Sequence, residues 1–282
     1  MHRADMGVWL DRKKVWKSRG LAEAVGRESV ELYGKGTDDV SAKLATKTTT
    51  GIGASVFDPV LTEAHYTWYA PTGGHILDPF AGGPARGIVA GHLGYRYTGI
   101  DLSAAQLRAN AAVREQWADD LVVSPSWMLG DSAAVLPTLS DGCADYVFTC
   151  PPYHNLERYS KDPADLSAMT WETFANTYRR VIAESVRCMA EDSFATWIVG
   201  EVRSPAGFLR GLVPLTVEAH EAANARFYND CIMLTPLGTA PLRLGQQWRP
   251  SRKAGRVHQY ALTFVKGDPK RATAKLPRPE RY

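Results

Sequence analysis

The sequence predicts an α/β fold: a mostly parallel sheet of seven strands, helices on both faces, and an antiparallel hairpin at one edge. Two observations carry this. From residue 57 onward, short apolar runs of strand length alternate with longer stretches of helical period, the pattern of crossover units around a parallel sheet. The last two apolar runs, "FYNDCIMLTP" and "QYALTFVKG", have no helical stretch between them, which fits an antiparallel edge pair.

Each element has a local reason. The first 50 or so residues mix charge, Gly and Thr; a short helix near the start and then a loosely structured loop are expected. "FDPVLTEAHYTWYA" reads as a helix opened by Asp58 at the cap and Pro59 in the first turn, with Trp68 and Tyr69 on its core face. "GGHILDPFAGG" is an apolar strand ending in glycines, and "PARGIVAGHLG" a helix closed by Gly94. "YRYTGIDL" is a strand, followed by a helix, "SAAQLRANAAVREQW", capped by Ser103. "PSWMLGD", "CADYVFT" and "SFATWIVGEV" are the third, fourth and fifth strands. Between them lie a short helix, "SAAVLPTL", and a long helical pattern, "DLSAMTWETFANTYRRVIAESVRCMA"; "LVPLTVEAHEAANA" is the last helix before the edge pair. The chain divides into an N-terminal extension (1–54), one α/β domain (55–268) with a basic loop (239–258), and a basic tail (269–282).

Composition narrows the class. With 282 residues, 45% hydrophobic and 22% charged, the chain can bury a core. No apolar run is long enough to span a bilayer, and the N-terminus has no apolar signal region, so a cytoplasmic protein without membrane contact is expected. Cys143, Cys150, Cys188 and Cys231 form no CxxC pair and no zinc spacing, so reduced thiols and no metal are expected. His65, His75, His92 and His220 are read as structural. Net charge is +3, unevenly spread: "RLGQQWRPSRKAGRVHQ" contains five cations and no acid, whereas acids gather between the glycine turn and the middle helices. That asymmetry predicts a cationic face.

In such a sheet, ligands bind beyond the carboxyl ends of the strands, where strand order reverses. Gly82 and Gly83 in "ILDPFAGG" allow a tight turn and close approach to a ligand. The spacing is not GxGxxG, and Asp78 would repel a pyrophosphate, so a dinucleotide is disfavoured. Asp101 ends the second strand, where an acid accepts from ribose hydroxyls. Asp131 ends the third, where it or its neighbouring backbone can take an adenine amino group. Three acids at successive strand ends suit a nucleoside carrying a cation, and S-adenosylmethionine has that chemistry.

"DPFAGG", "GIDLS", "GDS" and "CPPY" together resemble the S-adenosylmethionine-dependent DNA amino-methyltransferases over roughly residues 55 to 266, with the glycine turn preceding Pro-Pro-Tyr. "FDPVL" resembles the family's helix that closes over the methionine end of the cofactor. The resemblance implies a Rossmann-like methyltransferase sheet. It puts the cofactor on Phe57, Asp58, Pro59, Asp78, Phe80, Gly82, Asp101, Leu102, Asp131 and Ser132. It also implies methylation of the exocyclic amine of adenine or cytosine in a base flipped out of DNA.

Such an amine is a poor nucleophile because its lone pair is shared with the ring. The family aims two acceptors at its N–H bonds: the side chain before Pro-Pro and the carbonyl of the first proline. Here these are Cys150 and Pro151, with Pro152 fixing the turn. Tyr153 is expected to stack on the flipped base. Cys150 departs from the family's Asp, Asn or Ser, and a thiol is a weak acceptor. An alternative makes Cys150 a nucleophile for carbon-5 cytosine methylation. DNA contacts are expected from His154, Asn155, Arg158 and Tyr159 beyond the turn, and from Gln246, Gln247, Trp248, Arg249, Arg252, Lys253 and Arg256 in the basic loop. RNA methylation by the same chemistry, or a decayed nucleic-acid-binding protein, are the rival readings; the oligomeric state stays open between monomer and dimer.

Overall fold

The computed structural model describes residues 7–21, 31–32, 57–154, 157–160, 162–234 and 248–278. Seven strands form one sheet: β1 (His75–Asp78), β2 (Arg96–Asp101), β3 (Ser126–Leu129), β4 (Ala144–Thr149), β5 (Met189–Val199), β6 (Ala225–Leu234) and β7 (His258–Lys266). Their spatial order is β3-β2-β1-β4-β5-β7-β6. The first five pair in parallel, and β7 runs antiparallel to both β5 and β6. Order reverses between β1 and β4, which places the crevice for a ligand at the carboxyl ends of those strands.

Alternation along the strands gives each face its own core. Leu77, Val147, Ala195, Trp197 and Leu262 face one helical layer; Ile76, Tyr146, Phe148, Phe194 and Ile198 face the other. The first layer includes α6 (Trp171–Cys188) and α7 (Leu212–Ala222). Phe174, Tyr178, Val181 and Ile182 of α6 recur at three- and four-residue spacing and are all buried. Trimming Phe174 to Ala would cost about 3–5 kcal/mol. The opposite layer includes α2 (Pro59–Tyr69), α3 (Ala85–His92) and α4 (Ala104–Gln116). Caps are those the sequence predicts: Asp58 accepts from Val60 N with Pro59 at the helix start, and Ser103 accepts from Gln106 N.

Several expectations need correcting. The long pattern from residue 165 is not one helix: Asp165 caps a single 3₁₀ turn (Leu166–Ala168), and α6 starts afresh with Thr170 as its cap. Trp68 is 44% exposed rather than in the core, while Tyr69 packs against Phe194 and Tyr146. The short helix expected near the start is present as α1 (Gly7–Ser18), and it packs on the domain. Its Trp16 is buried against Trp117, and Arg12 and Lys13 pair with Glu63 and Asp58 of α2. The basic tail starts as a docked helix, α8 (Pro269–Ala274), whose Arg271 pairs with Asp192. Among the described residues, no helix is long and apolar enough to cross a membrane, and no cluster of His, Cys, Asp and Glu is arranged to hold a metal.

Candidate active site at the carboxyl edge of the sheet

A cavity of ≈ 260 Å³ opens at the carboxyl ends of β1 to β4. Phe80 and Gly82 come from the turn after β1, Asp101 and Leu102 from the end of β2, Asp131 and Ser132 from beyond β3, and Cys150 and Pro152 from the end of β4. These eight candidate site residues therefore meet in one space, and Tyr159, expected at the nucleic acid, lines it too. The far wall is a segment the sequence reading only grazed: Tyr159, Ser160, Asp162, Ala164, Asp165 and Leu166. Of these, Asp165 carried a local signal, since the Asp-Leu-Ser step that caps a 3₁₀ turn is visible in sequence.

The charge of this wall is one-sided. Asp101, Asp131, Asp162 and Asp165 line the cavity, and no Lys, Arg or His does so among the described residues. Among these residues a phosphate-bearing ligand finds no cation, and a neutral or cationic ligand with hydroxyl and amino donors finds acceptors. Phe80, Ile100, Leu102, Leu166 and Val181 add apolar surface.

The acids are held by backbone donors. Asp101 accepts from Gly82 N and Ser103 N, each at 2.8 Å, which ties the glycine turn to the end of β2. Gly82 takes a φ of +52°, open to glycine at no steric cost, and its carbonyl accepts from Asn110 Nδ2 at 2.8 Å. Asp131 accepts from Ala133 N at 2.9 Å as the cap of α5 (Ser132–Val135). Ser132 donates its hydroxyl to the Pro79 carbonyl, which closes the turn from the other side.

Asp78 does not line the cavity, contrary to the sequence reading. Its carboxylate is buried and taken up within the protein: Arg86 Nε lies 2.5 Å away, the Tyr97 hydroxyl 2.7 Å and the Thr149 hydroxyl 2.6 Å. Arg86 Nη2 also donates to the Phe80 and Ala81 carbonyls. Burial opposes the Arg86 charge, but Asp78 and the other groups around it reverse that and raise its pKa. A lone cation in the apolar helix stretch "PARGIVAG" was the signal for this partner. Thr149 Oγ1 also accepts from Phe80 N at 3.1 Å. Thr149 immediately precedes Cys150, so Asp78 and Thr149 couple the glycine turn to the Pro-Pro turn.

Other predicted residues fall outside the cavity. Phe57 lies under the Arg86 guanidinium at 4.5 Å and edge-on to Phe148. Asp58 is occupied by Lys13 and Trp9 of α1, and Pro59 is buried in the helix start. Pro151 is buried beside the cavity. Tyr153 is turned away from it: its ring packs against Gly200 and its hydroxyl donates to the Ile198 carbonyl at 3.2 Å. Burial, then the neighbouring Cys150, holds the Tyr153 pKa well above the ordinary value. With that proton on Ile198, the Cys150 thiol at 3.6 Å can donate to the Tyr153 oxygen. Tyr153 thus braces Cys150 and is not positioned to stack on a base.

His154 is corrected as well. It is 4% exposed, boxed in edge-on by Trp171 and Phe174, with Nε2 bonded to the Met169 carbonyl at 3.1 Å. It anchors the segment from within the fold rather than standing at the surface as expected. Asn155, Gln246 and Gln247 lie outside the described residues, as does the side chain of Arg158. Trp248, Arg249, Arg252 and Arg256 are exposed, Lys253 partly so, and Arg252 lies over the Trp248 ring at 5.8 Å. This segment leads into β7, whose first residues pair with the end of β5 (Val199 with Tyr260), so it shares the carboxyl edge with the cavity. The histidines read as structural are so: His65 and His220 are buried, with burial pushing each pKa down to about 3. His75 bridges Cys143 and Thr98.

No family model matches this chain. None of the curated proteins matches it either. Solved structures do. The 4+2 cyclase SpnF aligns with a TM-score of 0.51 at 15% identity, covering 74% of this chain and 82% of that one. A protein of Methanosarcina mazei named as a SAM-dependent methyltransferase aligns at 0.49 and 11%, covering 71% and 95%. A Thermus thermophilus protein provisionally named as a DNA modification methylase aligns at 0.38 and 17%, covering 54% of each chain. At these identities the likeness speaks for the fold: a seven-stranded, Rossmann-like mixed sheet. Function must be argued from the site.

Proposed function

We propose that the chain is an S-adenosylmethionine-dependent methyltransferase acting on the exocyclic amino group of adenine or cytosine in DNA. One observation carries the reading: Cys150 and Pro152, on either side of the buried Pro151, line the same cavity that collects Phe80, Gly82, Asp101, Leu102 and Asp131. Cofactor residues and acceptor residues then act on one bound pair of molecules.

The donor set suits the cofactor. Four carboxylates without a cation among the described lining residues favour a ligand with a sulfonium, an ammonium and ribose hydroxyls over a phosphate ester. In this reading Asp101 accepts from the ribose, Asp131 and its neighbours from the adenine, and Phe80, Ile100 and Leu102 supply apolar contact. S-adenosylmethionine, when bound, supplies an electrophilic methyl group. The chain's own contribution is positioning. Cys150 Sγ and the Pro151 carbonyl are the acceptors for the amine N–H bonds, drawing its lone pair out of the ring. Proline cannot donate to the sheet ladder, which frees the turn from strand pairing. Tyr153 holds the thiol proton away from the amine, so sulfur meets it as an acceptor. Asp78 and Thr149 keep the two turns in register.

The test is a mass-spectrometric census of modified nucleosides from a host lacking its own methylases, with and without the protein. New N6-methyladenine or N4-methylcytosine in DNA supports the reading and settles the base. A signal confined to RNA moves the substrate class. Carbon-5 methylcytosine makes Cys150 a nucleophile, and no new nucleoside refutes the transfer to nucleic acid.

A further inference from the structure

The polypeptide leaving β5 forms a small, braced hairpin that the cavity does not use. Arg203 and Leu209 pair across an antiparallel bridge, Ser204 N donates to the Phe208 carbonyl at 2.8 Å, and Arg210 N to the Val202 carbonyl at 2.8 Å. Pro205 and Gly207 build its turn, with Gly207 at φ +91° and bonded back to Ser204 at 2.8 Å. At the tip, Phe208 is 75% exposed and Leu209 46%. A single exposed aromatic is ordinary on a protein surface. This one stands on a rigid turn with a specific setting.

First, the base of the hairpin touches the catalytic turn. A Cβ on Gly200 would lie 3.1 Å from the Tyr153 ring, and Tyr153 braces Cys150. Glu201, the acid at the hairpin base, is tied down by Leu212 N at 2.8 Å and Val202 N at 3.2 Å. Second, the surroundings are cationic. Arg203 donates to the Gly207 carbonyl at 2.8 Å, and Lys253 lies so close over Gly207 that a Cβ there would sit 2.5 Å from its Nζ. Through Lys253 the hairpin joins the stretch with Arg249, Arg252 and Arg256, where Trp248 is 48% exposed. Neither 202–217 nor 248–257 contains an acid. The rim is thus basic and aromatic, while the cavity beside it is acidic.

We propose that Phe208 is a wedge: it enters double-stranded DNA at the base step next to the target nucleotide, while the cations of the rim hold the phosphates. This rests on the reading of the cavity as a DNA amino-methyltransferase site. Charge segregation argues for it. A polyanion is attracted to the rim and repelled from the cavity, so only an extruded base, which carries no charge, passes inward. A base leaving the stack opens a gap that an apolar ring on a rigid turn can fill, and such wedges are how proteins hold unstacked steps open. A protein partner gripping Phe208 would need a wider apolar surface than this tip, which is flanked by Arg and Lys.

The test uses the full chain, tritiated S-adenosylmethionine and one unmethylated plasmid, either intact or heat-denatured. Phe208→Ala should lower transfer to the intact duplex about tenfold or more, and leave transfer to denatured DNA within about twofold, because a single strand has no stack to open. Phe208→Trp should restore duplex transfer. Equal loss on both forms, or no loss on the duplex, overturns the wedge. Permanganate oxidation of thymines, which needs no turnover, separates the two readings. Unstacked thymines where wild type binds, absent with Phe208→Ala, support the wedge even if no methyl group is transferred. Transfer to duplex DNA by wild type, with the thymines at and beside the methylated base pair left unreactive, refutes the wedge and leaves the methyltransferase reading intact. Absence of duplex binding by wild type refutes the wedge outright.

Discussion

Replacing Arg86 by Met is expected to damage both stability and the cavity. Arg86 and Asp78 are buried together at 2.5 Å, with side chains 4% and 0% exposed. Met matches the length and apolar stem of Arg but removes the cation, leaving Asp78 with only the Tyr97 and Thr149 hydroxyls and Phe80 N as donors. Breaking such a pair from one side costs about 3–5 kcal/mol, because the remaining charge stays in a medium that cannot solvate it. At about 2.1 cal/mol/K per residue, the unfolding entropy of 282 residues is about 0.6 kcal/mol/K, so Tm should fall by about 5–8 °C. The Phe80 and Ala81 carbonyls also lose their donor, which loosens the turn that carries Gly82 to the cavity. Arg86→Lys should fall between, since an ammonium keeps the charge but cannot fork to a carboxylate and two carbonyls. The assay is thermal unfolding by circular dichroism at fixed pH and salt, with S-adenosylmethionine affinity by calorimetry as the second readout. A fall of less than about 2 °C for Arg86→Met would refute the buried-pair reasoning.

Three further outcomes are expected. Cys150→Ser should keep methyl transfer within about threefold of wild type or raise it, since a hydroxyl is the better acceptor at the same place; complete loss in the nucleoside census would point to thiol chemistry. His65→Phe should flatten the acid side of the stability profile: the native ring stays neutral down to about pH 3, while the unfolded one takes a proton below its ordinary 6.5. Stability from neutral His65 is therefore full above pH 6.5 and lost as pH falls toward 3. At about 1.4 kcal/mol per pH unit, the variant gains about 2 kcal/mol on wild type between pH 7 and pH 5, and parallel urea curves at the two pH values would contradict this. Trp16→Ala should cost about 3–5 kcal/mol and release α1 from α2, seen as a lower Tm and early cleavage near residue 18 by trypsin; an unchanged Tm would mean α1 is not part of the body of the fold.

What could be read before folding follows the range of the interactions involved. Asp58 capping Val60, Ser103 capping Gln106 and Asp131 capping Ala133 all act within three residues, so a short motif contains both partners. The turns placing Gly82, Asp101, Asp131 and Cys150 follow from strands ending where apolar runs end, and a parallel sheet brings those ends to one edge. Hence the part of the cavity wall that comes from the strand ends was legible, and the segment from Tyr159 to Leu166 was not. Asp78 was misread because its partners lie 8, 19 and 71 residues away. Nothing local says that a carboxylate in a glycine turn is already spoken for. His154 was misread for the same reason: its burial depends on Trp171 and Phe174, brought over it by α6.

Periodicity and capping are short-range physics, so the linear chain already specifies the seven strands, their caps and turns, the acidic strand ends and the basic stretch before the last strand. Which polar groups face the cavity and which face one another is settled by packing alone. A buried charge must find its counter-charge, and an aromatic ring its pocket, across whatever chain separation the packing allows. That is why Arg86 turns inward to Asp78, Tyr153 turns from the cavity to Ile198, and Phe208 is left standing in water on the rim.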